Sequence, residues 1–278
     1  MQTLVYDDEA TQLAGQLFVP ADSGAVAGGV VLLPEYTGPG PYMHRHAQRL
    51  VAAGYAVLLA DMYGVMPQDH AHADSLARPL KADRGLMRAR AAAALAALAA
   101  QGVVRQLPLY AMGFSFGGCA ALELARHGAR PGGQPETRHG VRPDVRPDVR
   151  PDVRPDARSG PCDGEGVPAL AGVVSVYGYL ATLEPLLPGQ RCCPLCVHHG
   201  AHDRIVPLGH LQPFVEEMTR SGTDCRMVVH TDAGHGFCNV NLQERDERLG
   251  SWYCARTEER MWQDVLAFLA ECTSGQAR

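Results

Sequence analysis

The chain has 278 residues, 46% of them hydrophobic, enough to bury one substantial core in a single α/β domain over residues 1–278. A formal net charge of -5 and the lack of any Lys/Arg-rich stripe exclude the basic footprint that neutralises a nucleic-acid backbone. Nine cysteines, too scattered for a disulfide framework, an acidic stretch at residues 1–9 without a signal-like apolar run, and no apolar segment near the roughly 20 residues of a membrane span together predict a reduced, cytoplasmic protein without a membrane partner.

In chain order, a buried strand is predicted at residues 28–33, a helix at 44–53 and a second strand at 56–60. His70 and His72 follow in a polar loop, ahead of a helix at 82–101. A strand at 107–112 leads through a tight turn into a helix at 116–127. Further strands are expected at 171–177, 195–199 and 226–230, with helices at 208–221 and 257–272. Gly54, Gly102 and Gly128 stand where helices stop and suit a left-handed cap. Continuous apolar strands alternating with helices predict a mostly parallel central sheet with helices on both faces.

One stretch departs from this pattern. Val-Arg-Pro-Asp occurs four times in tandem over residues 141–156, inside a low-complexity insertion at about 130–166. Proline at every fourth position removes backbone donors and blocks helix, so an extended, solvated surface insertion without catalytic residues is expected.

The chemistry concentrates on Gly113-Phe114-Ser115-Phe116-Gly117, which lies between a strand and a helix. That context suits a nucleophile elbow, a sharp turn that lifts Ser115 above the sheet and needs glycine on both sides to avoid crowding. A serine hydroxyl is a poor nucleophile at neutral pH, so a base must take its proton and a carboxylate must orient the base. In the order Ser, acid, His that such a fold requires, Asp203 follows the strand at 195–199 and His235 follows the strand at 226–230. His44, His46, His139, His198, His199, His202 and His210 all lie elsewhere, and Asp232 is too close in sequence to His235 to orient it.

The oxyanion that forms during acyl transfer needs backbone donors. Phe116 N–H is one, and the loop Pro34-Glu35-Tyr36-Thr37-Gly38 supplies Tyr36 N–H as the second. Glu35, an acid at the end of an apolar strand, then sits beside the site. Cys193 and Cys196 have C-x-x-C spacing ahead of His198 and His199, but no second pair completes a zinc set, so buried free thiols and no metal are expected.

Together, Leu33-Pro34-Glu35-Tyr36, Asp61-Met62-Tyr63-Gly64, Gly113-Phe114-Ser115-Phe116-Gly117-Gly118, Asp203-Arg204-Ile205-Val206-Pro207 and Gly234-His235-Gly236-Phe237 resemble the dienelactone hydrolase family of the α/β-hydrolase superfamily. The closing helix around Trp262 and Phe268 is similar too, and only residues 128–167 fall outside the likeness. The resemblance implies an α/β-hydrolase fold and cofactor-free, metal-free hydrolysis of small esters and lactones by a triad of Ser115, Asp203 and His235. It also implies that Glu35 influences the protonation of the resting nucleophile. Serine stands where the best-studied members carry cysteine. Asn239 stands where they carry a substrate-anchoring arginine, and Arg78, Arg84 or Arg88 is left to supply another. The expectation is therefore a serine esterase acting on a small carboxylic ester or lactone. The alternatives are a non-catalytic binding module on the same fold, or a thioesterase or peptidase using the same triad.

Overall fold

The computed structural model describes residues 1–8, 10–21, 26–128 and 168–274, so the Val-Arg-Pro-Asp repeat lies outside the described residues. Eight strands form one sheet in the order β1-β2-β4-β3-β5-β6-β7-β8. They are β1 (Gln2–Asp7), β2 (Gln12–Phe18), β3 (Gly28–Leu33), β4 (Tyr55–Leu59), β5 (Leu109–Phe114), β6 (Gly172–Val176), β7 (Leu195–Gly200) and β8 (Cys225–His230). Strands β4, β3, β5, β6, β7 and β8 pair in parallel, while β1 and β2 form an antiparallel edge joined to β4.

Alternation along each strand sends side chains to two separate cores. In β3, Val31 and Leu33 enter a core built with α2 (His70–Ala82), α3 (Arg84–Ala99), α4 (Phe116–His127) and α5 (Leu211–Ser221). Val30 and Leu32 enter the opposite one, filled by α1 (Pro41–Ala52) and α6 (Ala255–Thr273). Every residue of β3, β4, β5, β6 and β7 is buried, which is why these strands are unbroken apolar runs. The expected mostly parallel sheet with helices on both faces is therefore present.

The structure corrects the sequence reading in four places. Strands β1 and β2 have no counterpart among the expected elements: β2 buries only Leu13, Gly15 and Leu17, leaves Gln16 and Phe18 half-buried and exposes Gln12 and Ala14. His70 and His72 lie in α2 rather than a polar loop; Asp69 caps that helix by accepting the His72 amide at 2.7 Å, and Ala73, Ala77 and Leu80 form its buried stripe. Asp83 then stops α2 and caps α3 through the Leu86 amide at 3.0 Å, so the expected long helix begins at Arg84. Of the three expected glycine caps only Gly54 takes a positive φ, whereas Gly222, at φ 74°, caps α5 in the left-handed conformation. No helix among the described residues is long and apolar enough to cross a membrane.

Candidate active site

The turn between β5 and α4 is too tight for side chains at its flanks. Ser115 sits at φ 51° and ψ -113°, a conformation L-residues avoid. A Cβ on Gly113 would lie 2.0 Å from the Gly117 carbonyl oxygen, and one on Gly117 would lie 2.1 Å from that of Leu33. Glycine is therefore a steric requirement at both positions, and the Ser115 amide is tied to Val176 O at 2.9 Å. The strain holds the Ser115 side chain out over the C-terminal edge of the sheet, where the crevice of an open α/β sheet forms.

Two further loops converge on it. Ser115 Oγ lies 2.8 Å from His235 Nε2, and His235 Nδ1 lies 2.7 Å from Asp203 Oδ2. The second oxygen of Asp203 accepts the Ile205 and Val206 amides, both at 2.8 Å, which leaves Oδ2 for the imidazole. His199, on β7, donates through Nε2 to Val206 O at 2.8 Å and so braces the same loop. Burial pulls the His199 imidazole below its ordinary range, favouring the neutral ring. The His235 backbone is clamped by the 250–252 segment: its amide donates to Gly250 O at 2.7 Å, and its carbonyl accepts from Ser251 Oγ at 3.2 Å. Asp203 and His235 are buried, with exposures of 3% and 8%.

Ser115 and His235 face a cavity of about 680 Å³. Glu35, Tyr36, Phe116 and Asn239 all line it, so every residue singled out in the sequence except Asp203 is on its wall, and Asp203 backs it through His235. Glu35 is tied down at both oxygens, Oε1 accepting from Tyr177 Oη–H and Oε2 from Asn239 Nδ2, each at 3.0 Å. Burial, with the Glu35 carboxylate beside it, pushes the Tyr177 phenol well up, so it stays a proton donor. Tyr63 Oη donates to the Tyr36 carbonyl at 2.9 Å, which fixes the loop that carries the Tyr36 amide.

The wall opposite Asn239 was not legible in the sequence. Helices α2 and α3 contribute His70, Asp74, Lys81 and Arg84. His70 Nδ1 pairs with Tyr36 Oη at 2.9 Å, and Lys81 pairs with Asp74 at 3.2 Å while lying over the Tyr36 ring. The three candidate arginines separate cleanly. Arg78 bonds the exposed Asp74 and Arg88 bonds Glu184, whereas Arg84 lines the cavity and touches Cys119 Sγ, Met87 and the Tyr179 ring. Among the described residues no carboxylate lies within salt-bridge distance of Arg84. On this wall Lys81 is compensated by Asp74, whereas Arg84 is a cation without a carboxylate partner among the described residues.

The rival groups lie apart. His202 packs at a tilt against Trp252 and His210 edge-on against Tyr179, His44 packs against Phe18, and Asp232 accepts from Arg256 and Thr257. His139 lies outside the described residues.

The model of the dienelactone hydrolase family matches residues 13–134 and 164–273. No curated protein sequence matches the chain. Among solved structures, the protein described as m3DLH is 28% identical with a TM-score of 0.77, covering 98% of this chain and 97% of its own. A dienelactone hydrolase-like promiscuous phosphotriesterase from metagenomic libraries is 27% identical with a TM-score of 0.75 and the same coverage, 98% and 97%. A putative dienelactone hydrolase from Klebsiella pneumoniae, 17% identical with a TM-score of 0.66 over 97% of this chain and 98% of its own, shares the fold.

Proposed function

Since the chain belongs to the dienelactone hydrolase family, and so to the hydrolases, we propose that it cleaves a small carboxylic ester or lactone through an acyl-enzyme on Ser115. The observation that carries this reading is the 2.8 Å contact between Ser115 Oγ and His235 Nε2 at the floor of an open cavity. Attack of Oγ on the substrate carbonyl carbon passes the hydroxyl proton to His235 Nε2. Asp203, bonded to Nδ1, keeps the imidazole in the tautomer that can accept that proton and stabilises the imidazolium it becomes. Phe116 and Tyr36 N–H hold the oxyanion. His235 then returns the proton to the leaving alkoxide, and the alcohol departs. A water that gives its proton to the same nitrogen releases the carboxylic acid and restores Ser115. No cofactor or metal enters this scheme.

The cavity supports a narrower substrate class. Its wall is mostly apolar, with Ile205, Val206, Leu242 and Leu249 near the triad and one uncompensated cation at Arg84. A compact ester or lactone bearing a carboxylate matches that distribution. Asn239 gives one Nδ2–H to Glu35 and carries no charge of its own, so the charged anchor falls to Arg84.

The test is hydrolysis of short p-nitrophenyl esters by wild type and Ser115→Ala, with labelling by a fluorophosphonate probe. Loss of turnover and of the adduct in the variant is expected; equal rates would overturn the assignment, and a wild type that neither turns over nor labels would favour a non-catalytic binding module. Parallel assays with acyl thioesters and peptides separate the other users of a Ser/His/Asp triad. A neutral aryl phosphotriester is included because one structural relative is described as a phosphotriesterase, and a serine nucleophile that attacks an acyl carbon can also attack a phosphoryl group.

A further inference from the structure

On the opposite side of β7 from the Asp203 loop's bracing histidine, three side chains converge that the hydrolytic reading does not use. Cys196 and His198 are two residues apart on β7, so both point to the face covered by α6. Asp264 of α6 meets them there. Cys196 Sγ and His198 Nε2 are 3.4 Å apart, His198 Nε2 and Asp264 Oδ2 are 3.4 Å apart, and Cys196 Sγ and Asp264 Oδ2 are 3.8 Å apart. The geometry points to a tetrahedral zinc site formed by Cys196, His198 and Asp264, a structural clip between β7 and α6.

The spacing carries the argument. With a zinc–sulfur bond of about 2.3 Å and zinc–nitrogen or zinc–oxygen bonds of about 2.0–2.2 Å, tetrahedral ligand atoms stand roughly 3.3–3.7 Å from one another. Two of the separations found here, both 3.4 Å, fall in that range, and the third, 3.8 Å between Cys196 Sγ and Asp264 Oδ2, exceeds it by about 0.1 Å, within the reach of a small rotation of the partly exposed Asp264 side chain. The 3.4 Å between the imidazole nitrogen and the carboxylate oxygen is too long for an ordinary hydrogen bond, which closes to about 2.7–3.2 Å. A sulfur, an imidazole and a carboxylate together are a donor set that zinc accepts.

The surroundings fit as well. His198 Nδ1 is 3.1 Å from His230 Nε2; in the tautomer with the proton on Nδ1, His198 donates to His230 and Nε2 turns its lone pair toward the cluster. Asp264 Oδ1 accepts from Arg226 Nη1 at 2.8 Å, which leaves Oδ2 for the ion. Arg226 in turn is paired with Glu271, so its charge is shared outward. Binding forms a sulfur–zinc bond and releases the Cys196 thiol proton to solvent. Thiolate and carboxylate then neutralise the divalent charge within the site, which limits the cost of burying it. Cys196 and His198 are fully buried, but the Asp264 side chain is 28% exposed, giving the ion an entrance and room for a water as fourth ligand. The C-x-x-C spacing misdirects here: Cys193 is not part of the group, and Cys196 combines with a residue 68 positions later.

The test starts from full-length protein dialysed against a chelator and titrated with zinc in competition with a chromophoric chelator, then with cobalt as a spectroscopic substitute. One equivalent of zinc is expected, with a cobalt spectrum showing a thiolate charge-transfer band and intense ligand-field bands of tetrahedral type. At a hundredfold excess of zinc over Kd, Tm should rise by about 5 °C or more. Cys196→Ser and Asp264→Asn should each lower affinity at least about tenfold and Cys196→Ser should abolish the charge-transfer band, while Cys193→Ser leaves both unchanged. Should Cys196→Ser fail to fold, Asp264→Asn, at a partly exposed helix position, still decides. Absence of stoichiometric binding, a weak octahedral cobalt spectrum, or bands that persist in Asp264→Asn at unchanged affinity would overturn the site.

Discussion

Arg84→Gln tests the substrate class most directly, because it removes one charge from the cavity and leaves the triad untouched. The guanidinium is half-buried and has no carboxylate partner among the described residues, so its field is available to a ligand. A hydrogen bond to a charged group contributes about 1.5–3 kcal/mol, and partial solvent exposure favours the lower end. A loss of about 1.5–2 kcal/mol corresponds to a roughly 10–30-fold fall in kcat/KM. The assay compares a p-nitrophenyl hemiester carrying a free carboxylate with the neutral p-nitrophenyl ester of similar length. Only the anionic substrate should lose rate, and in wild type its advantage should shrink as salt rises from 0.1 M to 1 M, where the screening length drops from about 10 Å to about 3 Å. An equal fall on both substrates would refute the reasoning and assign Arg84 to packing against Cys119 and Tyr179 instead.

Three other outcomes follow from the fold. His199→Ala removes the brace on Val206 O, a buried bond of 2.8 Å, and should lower kcat about 5–30-fold with little change in KM; an unaltered kcat would remove His199 from the positioning of Asp203. Gly117→Ala would put a Cβ 2.1 Å from Leu33 O, and should cost more than about 4 kcal/mol, so recovery of a folded variant with Tm near wild type would contradict the elbow geometry. His46, on α1, is fully buried against Phe114 and Trp262, and burial, with Arg45 and Arg49 adding to it, pulls its pKa from 6.5 down to about 3. The unfolded chain then binds the extra proton first, so stability is fully present above pH 6.5 and lost as pH falls toward 3, by about 1.4 kcal/mol per pH unit, with Glu258 at 3.9 Å working against the loss. Urea midpoints of wild type and His46→Phe between pH 7 and pH 5 check this: the variant, which keeps a ring on Phe114, should show the shallower slope, and parallel slopes would exclude His46 as the source.

What could be read from the sequence follows burial. Strands β3 to β7 are buried on both faces, so their apolar runs are continuous and unmistakable. Strand β2 carries only a weak alternation, interrupted at Gly15 because a Cβ there would meet Leu58 Cδ1 at 2.9 Å; the glycine that lets the edge pack also erases its signal. Helix α2 hid behind histidine, aspartate and Pro79, with only two alanines and a leucine fully buried. Ser115, Asp203 and His235 were legible because a tight turn and two loops at strand ends mark them locally. The cation of the opposite wall was not: Arg78, Arg84 and Arg88 differ in nothing but the direction that helix phase and the break at Asp83 give them, and direction is a tertiary property.

The same distinction bears on Glu35, which the resemblance implied, and on Asn239, which stands where the resemblance implied an arginine. A glutamate that modulates a resting cysteine must be free to reach it. Here both oxygens of Glu35 are occupied by donors, Tyr177 Oη–H on one side and Asn239 Nδ2 on the other. Ser115 already rests on His235 at 2.8 Å and gains nothing from a second carboxylate. On the proposed mechanism, the change from arginine to Asn239 and the change from cysteine to Ser115 are then linked. Asn239 satisfies a buried acid that a serine nucleophile no longer engages, and the substrate charge passes from that loop to Arg84 across the cavity. Asn239→Leu should therefore strand Glu35 Oε2 and lower stability by about 1–3 kcal/mol, with no selective effect on anionic substrates. A selective loss on the anionic hemiester would return the anchoring role to position 239.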